Sequence, residues 1–256
     1  MSYNRQPMAK KSRNIAKTKK SKRAKAPTKR PLAKSKRAKS AKAAGTGPKR
    51  VHEILVKLDE AYPNARCALN HDNAFQLLIS TILSAQTTDV RVNQVTATLF
   101  KKYPSPEAFA HASPKELEED IHSTGFFRNK TKSIIGASKK IVEDFHGHVP
   151  RTMDQLLTLP GVARKTANVV LGTAFGIPSG IVVDTHVQRV ARRLDLTRNT
   201  DPKKIELDLM QVIPQEKWIL FAHQLIWHGR QVCQARKPRC IDCNLAQICY
   251  SKDKTV

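Results

Sequence analysis

Residues 159–167 read Leu159-Pro160-Gly161-Val162-Ala163-Arg164-Lys165-Thr166-Ala167 and fall between two helical segments, the first ending near Thr158 and the second running on through Asn168, Val169 and Val170. The stretch predicts a tight turn. Gly161 permits a backbone conformation that a side chain would obstruct. The first N–H groups of the second helix then point outward with the positive end of the helix dipole, an anion seat suited to a DNA phosphate. A Pro-Gly turn alone is also what an ordinary glycine-stopped helix pair needs, so the residues after it carry the functional weight. A free lysine is protonated at neutral pH, with a pKa near ~10.4, and becomes a nucleophile only where desolvation or positive potential lowers that value. The start of a helix beside an apolar Val-Val-Leu run offers both to Lys165; the plainer role is a phosphate contact.

Outward from the hairpin, the periodicity is helical. Val51, Ile54, Leu55 and Leu58 fall at i, i+3, i+4 and i+7, and Ile134, Ile141 and Phe145 continue that spacing farther on. Ser113-Pro114-Lys115-Glu116 and Thr152-Met153-Asp154-Gln155 read as capping boxes, and Asp201-Pro202 as an N-cap followed by Pro. These signals predict an all-α body of about ten short helices. Residues 181–183 are apolar but too short to introduce a sheet.

Composition separates a tail from this body. The chain has 256 residues and a formal charge of +25, and 19 of its 46 Lys and Arg stand before Val51, where there is no acid. The rest carries 27 basic and 21 acidic residues, so it is only moderately basic. Residues 1–49 hold almost no large apolar side chain and are expected to be disordered, contacting DNA phosphates through their charge. No apolar segment follows the start. The longest uncharged apolar run, residues 168–183, falls short of the roughly 20 residues of a membrane span. A soluble intracellular protein is expected, with nucleic acid as its polyanionic partner and no membrane.

Nineteen residues after Lys165 comes Val182-Val183-Asp184-Thr185-His186-Val187, where Asp184 reads as an N-cap for the helix through Leu194. Four thiols, Cys233, Cys240, Cys243 and Cys249, then fall within 17 residues. Such density suits zinc or an iron-sulfur cluster rather than a secreted disulfide framework. Zinc modules usually show two short Cys-x2-Cys knuckles, whereas here one x2 pair is flanked by long, unequal spacings. Cys67 stands apart and is expected to be simply buried.

Taken together, these strings resemble the endonuclease III family of base-excision DNA glycosylases. Leu-Pro-Gly-Val-x-Arg-Lys-Thr-Ala is similar to the family's helix-hairpin-helix, in which Leu159, Gly161, Ala163 and Arg164 would meet DNA. A lysine at the Lys165 position marks enzymes of that superfamily that are also lyases. One departure is Ala163, where the family often has Gly. Val-Asp-Thr-His resembles the catalytic segment, which implies that Asp184 faces the reacting sugar; His186 would contact the base or a phosphate, or only stabilise its helix. The cysteine spacing resembles the family's [4Fe-4S] loop, with all four thiols as ligands. Leu83-Ser84-Ala85-Gln86-Thr87-Thr88-Asp89 resembles the segment whose Gln enters the vacated base stack, so Gln86 is a first wedge. The second would come from Gly125-Phe126-Phe127, where Phe126 replaces a frequent Leu.

The resemblance covers about residues 50–250. It implies a six-helix barrel over residues 68–178, ending in the hairpin at about 151–175. A cluster domain would form from residues 50–67 and 179–253, with the catalytic cleft between the two. It implies a monomer that excises oxidised or ring-opened pyrimidines from damaged duplex DNA, in the cytoplasm and nucleoid of a bacterium or the nucleus or mitochondrion of a eukaryote. Two other functions share parts of the pattern: a monofunctional adenine glycosylase, which has no use for Lys165, and a non-catalytic DNA-binding iron-sulfur protein, which needs neither Lys165 nor Asp184.

Overall fold

A computed structural model describes residues 45–255. The expected tail therefore lies, over residues 1–44, outside the described residues. Its last positions do not. Helix α1 spans Pro48–Ala61, so Pro48 and Lys49 belong to the folded body, with Pro at the first turn where its missing N–H costs nothing. Even Gly45 is engaged, its N–H donating to the Asp195 carboxylate at 2.9 Å.

After α1 come α2 (Ala74–Leu83), α3 (Asp89–Lys102), α4 (Pro106–Ala110), α5 (Pro114–Ile121), α6 (Phe127–Phe145), α7 (Met153–Leu157), α8 (Arg164–Phe175), α9 (Thr185–Arg193), α10 (Pro202–Val212) and α11 (Trp218–Gln231). No β-strand occurs among the described residues, and residues 181–183 are extended but unpaired. No helix among them is long and apolar enough to cross a membrane.

Two apolar cores organise these elements. The first draws on α2 to α8, from Leu69 to Leu171. Its centre is α2, where Phe75 and every residue from Leu77 to Leu83 is buried; a helix apolar on all sides must sit inside. The second core joins α1 to residues 181–245, so the chain leaves this core, builds the first one, and returns. Val51, Ile54, Leu55 and Leu58 are all buried there, as their spacing predicts. Arg50 fastens the return: its Nε and Nη2 donate to the Ile248 carbonyl at 2.9 and 2.6 Å, Nη2 also reaches the Leu194 carbonyl, and the guanidinium lies 4.0 Å over the Tyr250 ring.

The helix starts read from sequence are in place, but their hydrogen bonds differ. Asp201 caps α10 through Lys204 N–H at 3.0 Å. Thr152 caps α7, accepting from Gln155 N–H, but the Gln155 side chain bonds the Thr152 hydroxyl rather than closing the box on the backbone. Ser113 makes no side-chain cap bond, although its carbonyl accepts from Leu117 N–H at 3.0 Å, and Pro114 stands at the first position of α5.

Candidate active site

The hairpin joins α7 to α8. Gly161 has φ +76°, and a Cβ there would come within 2.5 Å of the Ser133 Cβ, so the turn requires glycine on two counts. Pro160 lies against Gly136, whose added Cβ would meet Pro160 at 3.1 Å; the hairpin is thus seated directly on α6. Val162 N–H closes the turn on the Leu159 carbonyl at 3.1 Å. Leu159 and Val162 are core residues, 2% and 7% exposed, so the Leu159 side chain is not available to DNA. What faces outward is backbone. Gly161 and Ala163 are exposed, and Ala163 caps α8 without a side-chain bond, leaving the first N–H groups of the helix free of a side-chain acceptor.

Lys165 is exposed in the first turn of α8, not lodged among the Val-Val-Leu side chains that follow it. Its neighbour Arg164 is occupied. Nε and Nη2 donate to Glu206 of α10 at 2.8 and 3.0 Å, a bidentate pair that fixes the guanidinium while its Nη1 donors remain unspent. Glu206, 5% exposed, also accepts from Asn168 Nδ2 at 2.8 Å, and Asn168 Oδ1 accepts from Ser179 Oγ at 2.9 Å. Gly180 admits this network, because a Cβ there would stand 2.1 Å from Glu206 Oε1. The first turns of α8, and with them Lys165, are therefore tied to the extended segment that leads into Asp184.

Asp184 caps α9. Both of its hydrogen bonds, from His186 N–H and Val187 N–H at 2.8 Å each, end on Oδ1. One oxygen thus fixes the carboxylate, and Oδ2 is left for another partner. His186 is half-buried against Gly229, with Arg189 Nη2 at 3.2 Å from its Nδ1. Burial and the nearby arginines hold its imidazole below the usual histidine range, despite the opposing pull of Asp184. Arg189 in turn spans from α9 to the Gly229 and Cys233 carbonyls at 2.8 and 3.1 Å.

Gln86 and Phe126 sit at the tips of two loops, before α3 and before α6. Both are exposed, Phe126 to 62%, and both take left-handed backbone, at φ +56° and +49°. Phe126 is thus no core residue; Phe127 turns inward instead, its ring 4.6 Å from that of His122. Gln86 does not cap α3, a task Thr88 performs.

Cys233, Cys240, Cys243 and Cys249 all line one cavity, and none is in a disulfide. Arg193 Nη1 donates to Cys233 Sγ at 3.3 Å, and Cys243 Sγ lies 3.7 Å from His228 Nε2. Burial pushes His228 down to about 4, and its Nδ1 lies 3.1 Å from Tyr62 OH. Among the described residues, no three His, Cys, Asp or Glu side chains converge on a single-ion position. Cys67 stands apart, half-buried against the first core.

The motifs thus fall into three groups: the hairpin with Asp184, the two exposed loop tips, and the cysteine cavity. Glu206, Asn168 and Gly180 are site residues that no local motif points to.

Residues 79–215 match the HhH-GPD superfamily of base excision DNA repair proteins. The chain is 58% identical over 203 residues to the endonuclease III of Synechocystis sp., covering 79% of this chain and 93% of that one. Among solved structures it is similar to an endonuclease III in a non-covalent DNA complex, with a TM-score of 0.76 and 43% identity over 80% of this chain and 95% of the other. It is also similar to an endonuclease III trapped as a covalent intermediate with DNA, with a TM-score of 0.76 and 42% identity over 80% and 96% of the two chains.

Proposed function

Since the chain belongs to the endonuclease III family within the HhH-GPD superfamily of base excision DNA repair proteins, we propose that Lys165 and Asp184 carry out glycosylase and lyase chemistry on oxidised or ring-opened pyrimidines in duplex DNA. The observation that carries this is twofold: an exposed lysine on a hairpin helix with no side-chain cap, and a carboxylate that spends one oxygen on its own helix and keeps the other free.

Duplex phosphates would seat on the outward N–H groups of the hairpin and the start of α8. The damaged nucleotide must leave the stack to be reached, and the exposed Gln86 and Phe126 supply side chains for the space it vacates. Closing DNA over Lys165 shields the reacting amine from bulk water. The neutral amine attacks the sugar C1′ while the bond to the base breaks; the base departs with the bonding electrons and takes up a proton. The sugar ring opens to a Schiff base on Lys165. Loss of a C2′ proton then expels the 3′ phosphate by β-elimination, and water releases the lysine. Asp184 Oδ2 stabilises the positive charge that develops at C1′ and relays protons in the later steps.

A [4Fe-4S] cluster is the cofactor that the four thiols fit. They line one cavity beside the Arg193 guanidinium and the His228 ring, and soft thiolates at this density beside a cation suit such a group. When bound, the cluster supplies a rigid cross-link to residues 233–249. The chain is proposed to act as a monomer.

Borohydride reduction on an abasic duplex tests the assignment. The wild type is expected to be trapped covalently, Lys165→Ala to bind without trapping, and Asp184→Asn to bind while its turnover falls on the order of a hundredfold or more. Undiminished strand cleavage by Lys165→Ala would remove it as the nucleophile.

A further inference from the structure

Lys130, in the first turns of α6, is 4% exposed, and its ammonium points at three oxygens. Nζ donates to the Leu83 carbonyl at 2.7 Å, to Thr87 Oγ1 at 2.9 Å and to the Thr124 carbonyl at 2.8 Å. Leu83 ends α2 and Thr87 follows Gln86; Thr124 stands two residues before Phe126. All three ammonium protons are thus spent on tying one loop tip to the other. Thr87 strengthens the tie, since its hydroxyl also donates to the Thr124 carbonyl.

A buried charge is a poor way to stabilise a core, because an apolar side chain of the same length would fill the space without desolvating an ammonium. Here the partners are two carbonyls and a hydroxyl, none of them a carboxylate, and burial alone pushes Lys130 down to about 8. The geometry explains what the charge achieves. Gln86 and Phe126 both hold left-handed backbone, which side-chain-bearing residues adopt only when their surroundings impose it. A single ammonium bonds carbonyls and a hydroxyl beside both of these residues and so bridges the two loops.

We propose that Lys130 is a positioning residue that couples the Gln86 and Phe126 loops into one rigid, two-pronged wedge, and so governs extrusion of the damaged nucleotide rather than bond breaking. This rests on the function proposed above, in which those two side chains enter the base stack. A wedge whose prongs move independently fills the vacated space less well, so the cost should fall on substrates that must be unstacked.

The test compares single-turnover cleavage of two substrates at saturating protein: thymine glycol fully paired in a duplex, and an abasic site held in an unpaired bubble. A 2-aminopurine beside the lesion reports unstacking independently of chemistry. Lys130→Met is expected to slow the paired substrate and its fluorescence rise by about tenfold or more while cutting the bubble within about twofold of wild type. Thr87→Val, which removes the shared hydroxyl without changing volume, is expected to show the same split more mildly, and it serves if Lys130→Met folds poorly. Equal losses on both substrates, or no loss on the paired one, would overturn the coupling role. Wild-type protein that neither cuts either substrate nor unstacks the reporter would instead overturn the proposed function, and this inference with it.

Discussion

Lys130 and Lys165 stand in opposite surroundings: the first is enclosed with three acceptors, the second exposed on a hairpin that offers main-chain donors. Enclosure has a consequence that can be measured. Because burial moves Lys130 from its ordinary 10.5 to about 8, the unfolded chain binds more protons than the folded one between those values. Stability contributed at this position therefore rises with pH across the window and is lost as pH falls through about 8. In denaturant unfolding from about pH 7 to about pH 10, the stability difference between wild type and Lys130→Met is expected to shift in favour of wild type as pH increases. A difference that stays level would mean that the native state bears no cost for the charge. Lys165 and Asp184 could be found in the sequence because each belongs to a short string with its own chemistry. Lys130 could not, since its partners lie up to 47 residues away and its neighbours Asn129 and Lys132 are ordinary exposed helix residues.

Among the elements, α8 and α10 are joined by polar groups near the first turns of α8. Glu206 alternates in sequence with the buried Ile205 and Leu209 and carries no local mark of its role, yet it holds Arg164 and Asn168 of α8 together. Glu206→Ala would leave both without their acceptor. Allowing for the partial exposure of Arg164, a loss of about 2 kcal/mol is expected, with slower borohydride trapping, and Glu206→Gln should lose less of both. A variant that loses stability but is trapped at the wild-type rate would confine Glu206 to packing. The helix starts were legible for a related reason: Pro114, Thr152 and Asp201 act on their own first turns. The bonds around Ser113 and Gln155 were not, because a short polar side chain has several acceptable partners and tertiary packing selects among them.

At the scale of the molecule, the concentration of charge before Val51 is a property of sequence, and its effect belongs in solution. Each phosphate neutralised contributes roughly −0.9 to the slope of log affinity against log salt, so about five tail contacts would add roughly −4.5. Since Gly45 and α1 are part of the body, the informative truncation begins at Gly45. Between about 50 and 200 mM salt the full chain should lose on the order of 500-fold more affinity than the truncated one, with lesion preference unchanged because Lys and Arg that contact phosphates carry no sequence readout. Equal slopes would show that the tail does not engage DNA. The return of the chain to its starting core also imposes an order of manufacture. The first core draws on one continuous stretch, from Leu69 to Leu171, and can close while translation is still in progress. Arg50, in contrast, must wait for a carbonyl 198 residues downstream, so α1 leaves the ribosome long before its partners exist. Until they arrive, its apolar face lacks partners, and the core beside the four clustered cysteines is the last to be assembled.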